Sequence, residues 1–212
     1  MALQLVIGNK TYSSWSMRPW LVLKHFQIPF EEILVKLDRP ETTREILKYS
    51  PSAKVPALLD DGFLVWESLA IIDYLSEKFP DKQIYPKDLK TRARVRSVCH
   101  EMHSSFAKLR EHLSFHAKKH CPNHDNSKAE KDIERIKAIW GDCLKASKGP
   151  FLFGEFGAAD AMFTPVVARF KTYDVRLHGE LAEYAARVLE LPAVREWYEG
   201  AMKEDFIAED HE

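Results

Sequence analysis

The stretch Lys54-Val55-Pro56-Ala57-Leu58-Leu59-Asp60-Asp61-Gly62-Phe63-Leu64-Val65-Trp66-Glu67-Ser68 decides the reading of this chain. Val55 precedes Pro56, so its backbone is held extended and the bond between them has an accessible cis form. Asp61-Gly62 suits a primed two-residue turn, and the apolar residues on either side predict two short antiparallel strands. The second strand runs into Glu67-Ser68, where Ser68 opens a helix predicted over residues 69–79. A helix start offers free N–H groups and partial positive charge to a carboxylate, and Glu67 beside it suits an ammonium. An α-amino acid carries both groups. Each feature alone has a plain reading, with Pro56 as a strand opener and Ser68 as a helix cap. Their combination in this order points to a zwitterionic, peptide-shaped ligand whose middle pairs with Val55.

Working outward, residues 3–7 form an apolar run ended by Gly8-Asn9, which predicts a buried strand and then a hydroxyl-rich loop. Helical spacing from Ser16 through Trp20, Leu21, Leu23 and Phe26 predicts a first helix ending near Gln27, with Pro19 in its first turn. A strand over residues 32–37 and a short helix over 41–49 follow. The order is strand, helix, strand, helix, strand, strand, helix. The first three strands with their crossovers are expected to run parallel, with the hairpin adding an antiparallel edge. This is a thioredoxin-like layout. A turn-rich linker at residues 81–88 separates this first domain, residues 1–80, from an all-helical remainder, residues 89–212. Helices are predicted there over 87–120, 127–145, 158–173, 179–189 and 193–203.

The 212 residues carry 31 basic and 32 acidic side chains, a formal net charge of −1 in mixed sign, so no nucleic-acid surface is expected. No segment is apolar for long enough to span a membrane. Cys99, Cys121 and Cys143 are too few and too scattered for a disulfide framework, which fits reduced thiols in a cytoplasm. His112, His116, His120 and His124 recur every four residues, but Pro122 breaks the register before the last. No metal site is expected from them.

The layout, Lys54-Val55-Pro56 and Glu67-Ser68 together resemble the cytosolic glutathione transferases over almost the whole chain. Ser13-Ser14-Trp15-Ser16-Met17-Arg18 resembles the Ser-Ser-Cys-x-x-Arg loop of the zeta class, which includes maleylacetoacetate isomerases, and theta-like bacterial members are also similar. Gly154 to Asp160 resembles the family's capping motif at a core helix. The resemblance implies that Val55, before Pro56, pairs with the cysteinyl part of glutathione, Glu67 meets the γ-glutamyl ammonium and Ser68 its carboxylate. Lys54 is implied for the glycyl carboxylate. Glutathione is then a co-substrate, no cofactor is tightly bound, and a homodimer is expected.

The chemistry rests on the serine loop. A simple alkyl thiol, with a pKa near 8.5, is only a few per cent thiolate at neutral pH. Bringing it down to about 6.5 takes roughly 2.7 kcal/mol, within reach of one charge-assisted hydrogen bond plus a helix dipole. Ser13 and Ser14 are both candidates for that hydroxyl: the zeta pattern selects Ser13, and counting back from Arg18 selects Ser14. One of the loop serines must also cap the helix. Tyr12, Trp15 and His103 are expected to line the electrophile pocket. Two departures set the chain apart from a zeta isomerase: Trp15 stands where that loop has cysteine, and Thr172 stands where an arginine is expected, with Arg169 nearly one turn earlier. The expectation is a transferase adding the glutathione thiolate to a small apolar electrophile. A glutathione-dependent isomerase or peroxidase, or a non-catalytic binding module on the same fold, are the alternatives.

Overall fold

The structure is a computed structural model and describes residues 3–205. Its first half is built on β1 (Leu3–Gly8), α1 (Ser14–His25), β2 (Phe30–Val35), α2 (Thr42–Leu47), β3 (Ala57–Asp60), β4 (Phe63–Val65) and α3 (Ser68–Lys78). The helices that follow are α4 (Leu89–Ser104), α5 (Ala107–His112), α6 (Glu130–Ser147), α7 (Ala158–Thr172), α8 (Glu180–Glu190) and α9 (Pro192–Lys203). No helix among the described residues is long and apolar enough to cross a membrane.

β1 is apolar apart from Gln4 because both faces of its sheet are covered over most of its length. Leu5 and Ile7 pack with α1 and α3 residues such as Leu21 and Ile72, while Val6, pointing the other way, meets Ile46 of α2, Val35 and Ala57. The sheet order is β2-β1-β3-β4. β1 and β2 are parallel, as expected, with Leu3 opposite Phe30 and Gly8 opposite Val35. The third strand corrects the expectation of three parallel strands: β3 runs antiparallel to β1, with Val6 opposite Ala57 and Leu3 opposite Asp60. β3 opens with Ala57 opposite Val6, near the end of β1 where β2 finishes with Val35 opposite Gly8, so the chain re-enters the sheet at the end where β2 left it. The hairpin turn is as read, with φ of 49° at Asp61 and 85° at Gly62, the two positive values a type I′ turn requires.

Helix starts and breaks differ from the sequence reading in two places. α1 begins at Ser14, so Pro19 falls in its second turn and not its first. The single long helix expected over 87–120 is broken after Ser104, where Phe106 adopts a left-handed φ of 65° and buries its ring. α5 then ends at His112, and the segment beyond is tied down elsewhere: Ala117 N–H donates to Thr11 O, and Cys121 N–H to Thr172 O.

α7 lies at the centre of the helical half, its residues buried on nearly every side and packed on both α1 and α4. Its start is built as the motif suggests. Asp160, 1 % exposed, accepts from Gly157 N–H at 3.0 Å and Leu152 N–H at 3.1 Å. Glycine is required at 157 because a Cβ there would come within 2.9 Å of Ile84 O. Burial pushes the Asp160 carboxyl up to about 6.

Candidate active site

The Val55–Pro56 bond is cis, and the turn it makes forms one wall of a cleft. Trp15, Ser52, Lys54, Val55, Pro56, Trp66, Glu67, Ser68 and His103 line this hollow of about 310 Å³. It lies beside the N-terminal end of α3: Glu67 is the N-cap, and Ser68 is the first helical residue. The Ser68 hydroxyl is buried, with its residue 1 % exposed, and has no hydrogen-bond partner among the described residues. A native fold rarely leaves such a group unpaired, and here it sits among the free N–H groups of a helix start. Glu67, on the same cleft, pairs with His103, whose Nε2 stands 3.8 Å from Oε2. Burial holds the His103 imidazole below its ordinary range, with Glu67 opposing, and its Nδ1 has no partner.

The expected glutathione set, Lys54, Val55, Pro56, Glu67 and Ser68, is thus gathered in one cleft together with Trp15 and His103. Tyr12, Ser13 and Ser14 are not on its walls. Tyr12 packs edge-on against His116 with ring centroids 5.1 Å apart. Ser13 and Ser14 lie next in the chain to Trp15 and are 6 % and 4 % exposed. Their hydroxyls have different employment. Ser13 Oγ is the N-cap of α1, accepting from Ser16 N–H at 3.4 Å, and donates to Ser16 Oγ at 2.7 Å. Ser14 Oγ accepts from Nη2 of Arg169 at 3.3 Å, and among the described residues no acceptor takes its hydrogen.

Around Trp15 the structure brings together groups that the sequence reading did not assign. Arg18 is fully buried; its Nε donates to Met162 O at 3.2 Å, but Nη1 and Nη2 have no partner among the described residues. Its guanidinium lies 3.9 Å from the Trp15 ring centre, and that of Arg110, whose Nη1 is also unpartnered, lies 5.8 Å from the same ring. Burial lowers the Arg18 pKa well below the usual value, and the cations Arg169 and Arg110 lower it further. Two guanidiniums, those of Arg18 and Arg110, thus flank the Trp15 ring, which the expectation of an apolar electrophile site did not include. A signal was present: Arg18 and Arg169 each interrupt an apolar helical run, Met17 to Leu23 and Val166 to Phe170, where an arginine enters only for a partner. Arg110 carried no such signal. The spaced histidines disperse, with His120 to Asp174 and His124 to Tyr173.

Comparison with known proteins agrees with this geometry. The family model described as glutathione S-transferase, N-terminal domain, matches residues 12–78, and the corresponding C-terminal domain model matches residues 100–200. The chain belongs to the glutathione S-transferase family. The transferase is 31% identical to the mouse maleylacetoacetate isomerase over 166 residues, covering 77% of this chain and 76% of that one. It is 31% identical to glutathione S-transferase 1 of Dianthus caryophyllus over 169 residues, covering 78% and 76%. Among solved structures, a Burkholderia glutathione transferase homologue with bound glutathione superposes with a TM-score of 0.73 at 24% identity, covering 96% of this chain and all of that one. The transferase thus has the family's fold, a thioredoxin-like first half and a helical second half.

Proposed function

We propose that the transferase binds glutathione along the Val55–Ser68 cleft, ionises its thiol beside Ser14, and adds the thiolate to an electrophile that carries a carboxylate. The observation that carries the glutathione pose is the buried, unpartnered Ser68 hydroxyl at the N-terminus of α3 next to Glu67. The γ-glutamyl carboxylate supplies the acceptor that Ser68 lacks, the ammonium meets Glu67, and Val55 pairs with the cysteinyl backbone. Lys54, on the same wall, faces the glycyl end. The sulfur then lies toward the start of α1, where Ser13 is committed to its cap and Ser14 has a hydrogen to give. The thiol proton leaves to solvent. Its lone pair forms the C–S bond, and the displaced pair departs with a leaving group or collects a proton on an unsaturated acceptor.

Arg18 and Arg110 favour an acidic electrophile over the apolar one the sequence suggested. A buried and a half-buried guanidinium with open donors beside one indole suit a carboxylate, which accepts such donors in pairs. A second reading follows from the same pair and from the mouse relative's name: isomerisation of an unsaturated diacid, in which glutathione adds and is then expelled unchanged. Against it, Thr172 turns its hydroxyl into its own helix, onto Ala168 O at 3.1 Å. The test compares an α,β-unsaturated acid with its methyl ester as acceptor. The acid is expected to have at least tenfold higher kcat/KM, and Arg18→Met should erase that preference. A preference for the ester, unchanged by Arg18→Met, overturns the acidic reading.

A further inference from the structure

We propose that Arg169 is the positioning residue of the thiol-activating serine: its guanidinium fixes Ser14 so that the hydroxyl hydrogen can point only at the glutathione sulfur. The inference rests on the reading above that Ser14 serves the thiolate.

Arg169 comes from α7, more than 150 residues along the chain from the loop it serves, and is 4 % exposed. Its planar fork is held at three points: Nε donates to Leu113 O at 2.8 Å, Nη1 to Pro165 O at 3.2 Å, and Nη2 to Ser14 Oγ at 3.3 Å. Leu113 O belongs to the residue that ends α5, and Pro165 O to Arg169's own helix. Anchored to two separate backbone carbonyls, the guanidinium has no freedom to turn away. A guanidinium is donor only. Ser14 Oγ must therefore accept from Arg169, and its single hydrogen is directed elsewhere. The neighbouring serines are placed differently: Ser13 gives its hydrogen to Ser16 Oγ, and Ser16, which also accepts from Gly8 N–H, is fully buried. Among the described residues Arg169 has no carboxylate partner; the charge acting on it most is that of Arg110, another cation. An arginine buried against a serine, without a counter-ion, is a costly arrangement for packing alone. It becomes favourable when a thiolate occupies the far side of that serine. No bond is made or broken in Arg169 or Ser14; they orient a donor and favour the charged sulfur.

The test reads the pKa of the bound glutathione thiol from its ultraviolet thiolate absorbance as a function of pH. Arg169→Met should cut the thiolate fraction at neutral pH about tenfold, with glutathione affinity falling by only the roughly fourfold that proton linkage requires. Arg169→Lys keeps the charge but cannot hold three acceptors at once, and should give the same loss. In Ser14→Ala the loss is already complete, so adding Arg169→Met should bring no further change. If Ser14→Ala leaves the thiolate fraction at its native level, the reading of Ser14 fails. If Ser14→Ala lowers it but Arg169→Met or Arg169→Lys does not, only the present inference fails. Should neither arginine variant fold, the native protein with 15N-labelled arginine decides. The Arg169 Nη2 resonance should shift in Ser14→Ala and again on ionisation of bound glutathione; a resonance indifferent to both overturns the inference.

Discussion

Replacing Ser68 by alanine should move binding and folding in opposite directions. In the free protein the Ser68 hydroxyl is buried and unpaired, a state that costs about 1–3 kcal/mol. Alanine removes that group and is a better helix former at the first position of α3. Ser68→Ala should therefore stabilise the unliganded protein, and each 1 kcal/mol corresponds to about 2–4 °C in Tm for a chain of this size. With glutathione bound, the same hydroxyl donates to a carboxylate, a hydrogen bond worth about 1.5–3 kcal/mol. Its loss weakens binding roughly 10- to 150-fold. Calorimetric titration with glutathione gives the affinity, and thermal unfolding without ligand gives the stability. A variant that melts several degrees lower with unchanged affinity would refute the reasoning, because it would mean that Ser68 is an ordinary structural cap.

The remaining expectations concern the groups around that cleft. His103 has a pKa depressed by burial, so it is neutral at pH 7 and gains charge only as the pH falls below its ordinary value of about 6.5. Once charged, it competes with the ligand's ammonium for Glu67, 3.8 Å away. Glutathione affinity should then fall on acidification, and His103→Gln should flatten that dependence in a titration series. Asp160→Ala strips the acceptor from two backbone N–H groups and should cost about 2–6 kcal/mol in denaturant unfolding. The Asp160 pKa, about 6 in the fold, lies above the unfolded value of about 3.9. Its contribution to stability is therefore full below pH 4 and lost as the pH rises through 6. Asp160→Asn, which does not titrate, should flatten the slope of unfolding free energy across that window. Ser13→Ala removes the N-cap of α1 and should cost about 0.5–2 kcal/mol of stability, while bound glutathione keeps its thiolate absorbance.

Much of this site could be read from local sequence because it is made of local devices. Asp61-Gly62 dictates a primed turn by its backbone preferences, and Glu67-Ser68 marks a helix entry whatever the remainder of the chain does. What local pattern could not supply was direction and distance. The antiparallel run of β3 depends on which end of the sheet the chain re-enters after α2, and the break at Phe106 on where its ring is buried. The choice between Ser13 and Ser14 was open in the sequence because their neighbours are the same. The proposal of Ser14 draws on Ser16, which takes the Ser13 hydrogen, and on Arg169, which only folding brings near. Arg18 and Arg169 were visible as charges inside apolar runs, but their shared surroundings depend on the packing of α1 against α7.

A crystal structure of the protein with glutathione tests the central claim most directly. The account predicts the γ-glutamyl carboxylate within hydrogen-bond distance of Ser68 Oγ, the ammonium on Glu67 and the sulfur against Ser14 Oγ, with Arg169 still bonded to that oxygen. A ligand lying in the reverse direction, or a sulfur resting on Ser13 or Tyr12 with Ser14 untouched, would contradict it.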